Sequence, residues 1–168
     1  MTRFNEFDKR MKEIEHAQRE YLPDAPFYII RLDGKAFHTY TKSFKKFGGE
    51  DPFFTPLNKS FVDTAKVLGK EVEGAIAIYT QSDELSILVK GYENDPSRTP
   101  WFGNNIQKIV SVTASIMTAE FNKSISNNTR NIMFKDGLPT AYFDSRVFTI
   151  QEDEVENYFR WRQKDAIR

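Results

Sequence analysis

Two short strings in this sequence place carboxylates where chemistry could use them. Asp33-Gly34 closes an apolar run, and Gln81-Ser82-Asp83-Glu84 sits between two others. Carboxylates brought side by side repel unless a proton or cation comes between them. Hard oxygen ligands suit magnesium, which keeps several waters and takes further ligands from substrate phosphates. Two such ions about 3.5–4 Å apart activate the attacking oxygen and stabilise the leaving one in phosphoryl and nucleotidyl transfer. Asp33 and Asp83 would bridge the ions, and Gly34, lacking a side chain, would let its backbone approach an ion or phosphate closely. Lys35, Lys45, Lys46 and Lys108 are candidates for neutralising a triphosphate. Each string alone also reads as a turn, and Ser82 reads either as a phosphate contact or as a local backbone cap.

Composition narrows the chemistry to carboxylates. The chain has 168 residues, no cysteine and two histidines, His16 and His38. Disulfides, zinc-thiolate sites and thiol nucleophiles are thereby excluded. His38 reads as a structural or substrate-positioning residue, and no serine, histidine and acid suggest a triad. The balance of 24 basic against 24 acidic residues gives no overall sign of a polyanion partner. Locally, Arg31, Lys35, Lys42, Lys45 and Lys46 surround the single acid Asp33, a stretch that either faces phosphate or forms a solvated surface. No apolar run is long enough to span a membrane and the N-terminus has no apolar signal core, so a cytoplasmic protein is expected. The length suits one domain, residues 1–168.

The elements that must position these residues follow from periodicity. Phe4, Phe7, Met11 and Ile14 form the stripe of an amphipathic helix, which Pro23 and Pro26 break. Phe27 to Leu32 reads as a buried strand ended by Asp33-Gly34. A Lys- and Gly-containing loop precedes a helix from about Thr55 to Leu68, stopped by Gly69. Ala75 to Tyr79 and Leu85 to Val89 read as strands joined at hairpin distance. Ile106, Ile109, Val110, Thr113, Ile116, Met117 and Phe121 keep the spacing of a core helix. Ala141 to Phe148 resembles a fourth strand, and Thr149 with Glu152 resembles a capping box for a last helix. The order is the α+β, ferredoxin-like βαββαβ arrangement, with one helix before it and one after. Right-handed crossovers then set the third strand beside the first and antiparallel to it. Asp33 and the pair Asp83-Glu84 would converge on one sheet edge although fifty positions separate the two aspartates.

Several strings together resemble the tRNA-His guanylyltransferase family: Arg31-Leu32-Asp33-Gly34-Lys35-Ala36-Phe37-His38, Tyr79-Thr80-Gln81-Ser82-Asp83-Glu84, Trp101 to Lys108, Tyr142-Phe143-Asp144-Ser145-Arg146 and Tyr158 to Gln163. The resemblance implies a polymerase-palm domain that uses magnesium, two ions per site, to add nucleotides to the 5′ end of a tRNA. A 5′-monophosphorylated RNA would be activated with ATP, and the 3′-hydroxyl of an incoming nucleotide such as GTP would then attack. It further implies that Asp33 and Asp83 bridge the metals with the Gly34 carbonyl as an added ligand, and that Glu84 supports them. Asp33, Gly34, Lys35, Ala36, Phe37, His38, Ser82 and Asp83 would bind nucleotide, with Lys46 and Lys108 on its phosphates. Gly103 to Lys108, with Asn104 where the eukaryotic enzymes have arginine, is similar to the bacterial and archaeal subgroup that repairs 5′-truncated tRNAs. Family members form homo-tetramers and continue beyond the position of Arg168, so the chain reads as a catalytic palm without the family's C-terminal extension. Two other readings fit the same elements: a nucleotide cyclase on the same palm, and a non-catalytic ferredoxin-like RNA-binding module.

Overall fold

The computed structural model describes residues 3–44, 55–91, 97, 99–134 and 137–166. Its elements are α1 (Arg3–His16), β1 (Phe27–Gly34), α2 (Phe37–Lys42), α3 (Thr55–Glu71), β2 (Ala75–Gln81), β3 (Glu84–Lys90), α4 (Ile106–Asn128), β4 (Phe143–Ile150) and α5 (Glu152–Ala166). The four strands form one sheet in the order β2-β3-β1-β4, and every neighbouring pair is antiparallel. This is the expected βαββαβ sheet, with β3 beside β1.

Side-chain alternation divides the sheet into two unlike faces. Tyr28, Ile30 and Leu32 of β1 and Leu85, Ile87 and Val89 of β3 point to the face covered by α3 and α4. There they join Phe61 and Leu68 of α3 and the i,i+4 stripe Ile109, Met117, Phe121 and Ile125 of α4. Thr113 lies on that stripe and satisfies its buried hydroxyl on Ser145 of β4 at 2.8 Å and on the Ile109 carbonyl. The α4 helix starts cleanly because the Asn105 side chain accepts the Lys108 N–H, a capping bond. The opposite face carries a smaller cluster, Ile29 and Leu88 under Tyr158 of α5, with Phe27, Phe148 and Phe159 packed against it.

Local detail departs from expectation where tertiary contacts override local signals. Asp33 and Gly34 lie inside β1, paired to β4 through Asp144 and Phe143. The α3 helix runs through Gly69 to Glu71; a Cβ on Gly69 would lie 3.2 Å from Ile78, so this glycine permits close packing on β2 rather than stopping the helix. Thr149 caps nothing: it is a β4 residue opposite Tyr28, and α5 begins only at Glu152. The α2 helix was not expected, because its N-cap, Ala36, is left-handed at φ 52° and makes no side-chain capping bond.

Candidate active site at the acidic sheet edge

Opposed residues of antiparallel strands share a face, so strand register decides which side chains meet. Across β2, β3, β1 and β4 one row reads Gln81, Glu84, Asp33, Asp144. The row behind it reads Tyr79, Ser86, Arg31, Arg146. Three acids side by side would repel, and the arginines behind them answer that charge. Buried Glu84 is clasped by Arg162 of α5 through two parallel bonds of 2.8 Å, and Arg31 reaches its Oε2 at 2.6 Å. Arg146 bonds Asp144 at 3.0 Å and lies 3.8 Å from Asp33. The hydrogen bond to Asp144, reinforced by the fields of Asp144, Asp33 and Glu84, holds the Arg146 guanidinium more firmly protonated than usual. Tyr158 shares a hydrogen bond with Ser86 at 2.8 Å, and burial raises its phenol pKa.

These partners sort the acids by availability. Glu84 is fully engaged by guanidinium groups and supports the edge from behind. Among the described residues the ion pair that Asp33 makes is the long one to Arg146, and its side chain is 34% exposed. Asp83 occupies the two-residue turn between β2 and β3, where its carboxylate accepts the Ser82 hydroxyl at 3.0 Å. The Gly34 N–H donates to the Asp83 carbonyl at 3.1 Å, so Asp33-Gly34 and Asp83 are direct cross-strand neighbours. Ser82 reaches the turn with φ at 53° and Ala36 leaves β1 with φ at 52°. Left-handed non-glycine residues cost free energy and gather at functional sites, and these two flank the acids on both sides.

The remaining expected residues divide. Lys35 and His38 are exposed beside the edge, whereas Phe37 is buried. A Cβ on Gly34 would come within 2.4 Å of the Phe37 ring, which also packs against Tyr40, Phe61, Phe121 and Phe143. Gly34 is thus required by its own core as well as by any ligand, and Phe37 offers a ligand backbone rather than ring. Lys108 is exposed in the first turn of α4, on the other face of the sheet, so the fold does not bring it to the acid row. Lys45 and Lys46 lie outside the described residues. A concavity of about 660 Å³ runs along Asp8, Lys9, Lys12, Glu13, His16 and Ala17 of α1 and its end, and includes no residue of the acid row.

Sequence reasoning assigned no role to Asp144, Arg146 or Arg162, and took Arg31 only as part of a basic stretch facing phosphate or solvent. The first two were within reach: Asp144 and Arg146 stand two apart on one strand and face the same side once β4 is set beside β1. The clasp on Glu84 spans 78 positions and has no local signal.

Among the described residues, no three His, Cys, Asp or Glu side chains form a metal cage. Two carboxylates and a backbone carbonyl at one edge nevertheless fit magnesium, which is commonly bound by one or two carboxylates with substrate phosphates completing its shell. The open sheet of an RNA-binding module does not fit, because Phe27, Phe148, Tyr158 and Phe159 pack together beneath and along α5 instead of facing solvent as a stacking platform. Among the described residues no helix is long and apolar enough to cross a membrane.

Comparison with known proteins agrees with this architecture. The family model described as tRNAHis guanylyltransferase matches residues 8–151. A bacterial tRNA(His) guanylyltransferase-like protein solved in complex with ATP is 42% identical, with a TM-score of 0.82 over 95% of this chain and 65% of that one. The same kind of bacterial protein in complex with GTP superimposes with a TM-score of 0.81 at 42% identity, over 95% of this chain and 70% of that one. The tRNA(His) guanylyltransferase of Debaryomyces hansenii is 29% identical over 94% of this chain and 56% of its own length. The chain spans between 43% and 58% of the length of the curated relatives it matches. With the sheet order, the acid row and the family match in agreement, the chain belongs to the tRNAHis guanylyltransferase family.

Proposed function

We propose that this chain is the catalytic palm of a magnesium-dependent nucleotidyltransferase that adds nucleotides, in the 3′-to-5′ direction, to the 5′ end of a tRNA in the cytoplasm. The observation that carries the proposal is the cross-strand contact of Asp33-Gly34 with Asp83 on an edge backed by arginines. Its support from relatives is that similar bacterial proteins were solved with ATP and with GTP.

In this reading Asp33, Asp83 and the Gly34 carbonyl hold two magnesium ions, which when bound supply charge neutralisation and activation of oxygen for transfer. Glu84 is the third acid of the site and acts through position: clasped by Arg31 and Arg162, it fixes the β3 end beside Asp33. The Ser82–Asp83 turn and the Asp33–His38 segment bind the nucleotide, with Lys35 and Arg146 supplying cationic charge at the edge. Lys46, which lies outside the described residues, completes the reading as a phosphate contact; Lys108, on the other face of the sheet, is left out of it. The first step transfers AMP from ATP to the RNA 5′-monophosphate, releasing pyrophosphate. In the second, the 3′-hydroxyl of the incoming nucleoside triphosphate attacks the RNA 5′ phosphorus and AMP leaves. The homo-oligomer, a tetramer, belongs to the same reading, as does the single catalytic domain over residues 1–168.

Incubating the protein and magnesium with 5′-monophosphorylated, 5′-truncated tRNA and labelled ATP and GTP tests it. Adenylylated and extended RNA are the expected products. A labelled cyclic nucleotide would favour the cyclase reading instead, and RNA binding without any covalent product would sink the enzymatic one.

A further inference from the structure

On the acid face of the sheet, the chain entering β4 presents one large side chain that the fold does not use. From Ala141 to Arg146 exposure alternates: Ala141 and Phe143 are buried and Ser145 turns to Thr113, while Tyr142, Asp144 and Arg146 are exposed. The Lys35 N–H donates to the Tyr142 carbonyl at 2.8 Å, which extends the β1–β4 ladder one pair beyond Gly34 and Phe143. Tyr142 therefore continues the exposed series on the acid face, about 7 Å in front of Asp144, with Lys35 across the ladder from it.

Tyr142 is 58% exposed, and among the described residues its ring meets no other ring and its hydroxyl no hydrogen-bond partner. The other aromatics of this face differ: Phe148, Tyr158 and Phe159 are packed into the cluster under α5. A bare ring beside cations suits a nucleotide, because every base has a π-face to stack and its phosphate answers the charge. Lys35 is exposed opposite the ring, and the Arg146 side chain, 51% exposed, lies behind it on the same face. Asp144 between them is held by Arg146 at 3.0 Å, which offsets its repulsion of phosphate. The side of the site identifies which nucleotide. The Ser82–Asp83 turn lies on the β3 side of Asp33 and Tyr142 on the β4 side. In an in-line displacement the attacking and leaving oxygens stand on opposite sides of the phosphorus, so the two reactants approach the acids from different sides. With the nucleoside triphosphate read onto the turn and the Asp33–His38 segment, the β4 side falls to the RNA.

We infer that Tyr142 is a stacking platform for the base of the RNA's 5′-terminal nucleotide, which lies along β4 with Lys35 and Arg146 offering charge to its phosphate. The inference rests on the proposed 5′-end transfer and adds to it the place of the RNA end. Tyr142 holds substrate and takes no part in the transfer itself, so its loss is expected in binding rather than in the chemical step.

Two readouts on the full chain test it. With magnesium, labelled ATP and 5′-monophosphorylated, 5′-truncated tRNA, Tyr142→Ala should raise KM for the tRNA roughly tenfold, the scale of one base stacked on one ring. KM for ATP and the unfolding midpoint should stay at their wild-type values, and Tyr142→Phe, which keeps the ring, should restore KM for the tRNA. A rise in KM for ATP with that for the tRNA unchanged would overturn the inference, since the ring would then serve the free nucleotide. So would a Tyr142→Phe variant as impaired as Tyr142→Ala. The second readout needs no turnover. A short 5′-monophosphorylated RNA with 2-aminopurine as its first base should lose fluorescence on binding the wild type, and at saturating Tyr142→Ala that quench should vanish. A quench undiminished in Tyr142→Ala, or none in the wild type, would sink the stack. A wild type that quenches the probe and transfers no label would support the stack while counting against the proposed reaction.

Discussion

The two faces of the sheet are built from the same four strands and do opposite things. Beneath α3 and α4, six aromatic rings, Phe37, Tyr40, Phe44, Phe61, Phe121 and Phe143, interlock in tilted and edge-on pairs. Beneath α5 the apolar contact is confined to Ile29, Leu88, Tyr158 and their neighbours, and beyond it the face gives way to acids and arginines. The first face is where burial stabilises the fold. The second accepts unfavourable neighbours, three acids in one row, that only compensating charge or a ligand can relieve. Gly34 joins the two, because its backbone belongs to the acid edge while its missing side chain makes room for Phe37 on the core side.

Substitutions that strike one face and spare the other sharpen this contrast. The largest stability effect is expected at Phe121, which is fully buried at the centre of the ring cluster; Phe121→Ala should cost about 3–5 kcal/mol in denaturant unfolding. On the other face, Arg162→Ala strips Glu84 of its two-bond partner. Breaking a buried pair this way costs about 3–5 kcal/mol, and Arg31, which stays in place, should keep the loss near about 3. A double substitution of Glu84 and Arg162 by methionine should be less harmful than Arg162→Ala alone, since no buried charge is then stranded. Gly34→Ala comes next, at about 1–3 kcal/mol, as the Phe37 ring is pushed aside.

The smallest effect is one of pH. The Tyr40 hydroxyl is buried with no hydrogen-bond partner among the described residues, and burial raises its pKa well above the ordinary tyrosine value. The unfolded chain therefore releases this proton near pH 10 while the fold retains it, so stability is intact below about pH 10 and declines as pH rises beyond it. Tyr40→Phe should flatten that alkaline decline in thermal melts and at neutral pH change stability by no more than about 1 kcal/mol. A steeper decline in the variant would contradict the burial argument.

What could be read in the sequence was whatever depended on local pattern and strand order. The apolar runs at Phe27, Ala75 and Leu85 located three of the four strands, and crossover handedness brought Asp33 to Asp83. What could not be read depends on partners distant in the chain. Gly69 continues a helix because Ile78 needs the space, Thr149 stays in a strand because Tyr28 pairs with it, and Arg162 finds Glu84 across the sheet. The apolar stripe of α1 was legible as a helix, but nothing local to it tells that Phe4, Phe7, Met11 and Ile14 stay exposed among the described residues.

The central claim is that the acid edge beneath α5, and not the aromatic core, carries the chemistry. Its most direct test is the rate of label transfer from nucleoside triphosphate to a 5′-monophosphorylated tRNA in the presence of magnesium, measured for the wild type, Asp33→Ala and Asp83→Ala. Removing groups that each supply several kcal/mol of transition-state stabilisation should lower the rate on the order of 10³-fold, at about tenfold per 1.36 kcal/mol, with unfolding midpoints close to the wild type. Transfer that continues at the wild-type rate in either variant would contradict the account.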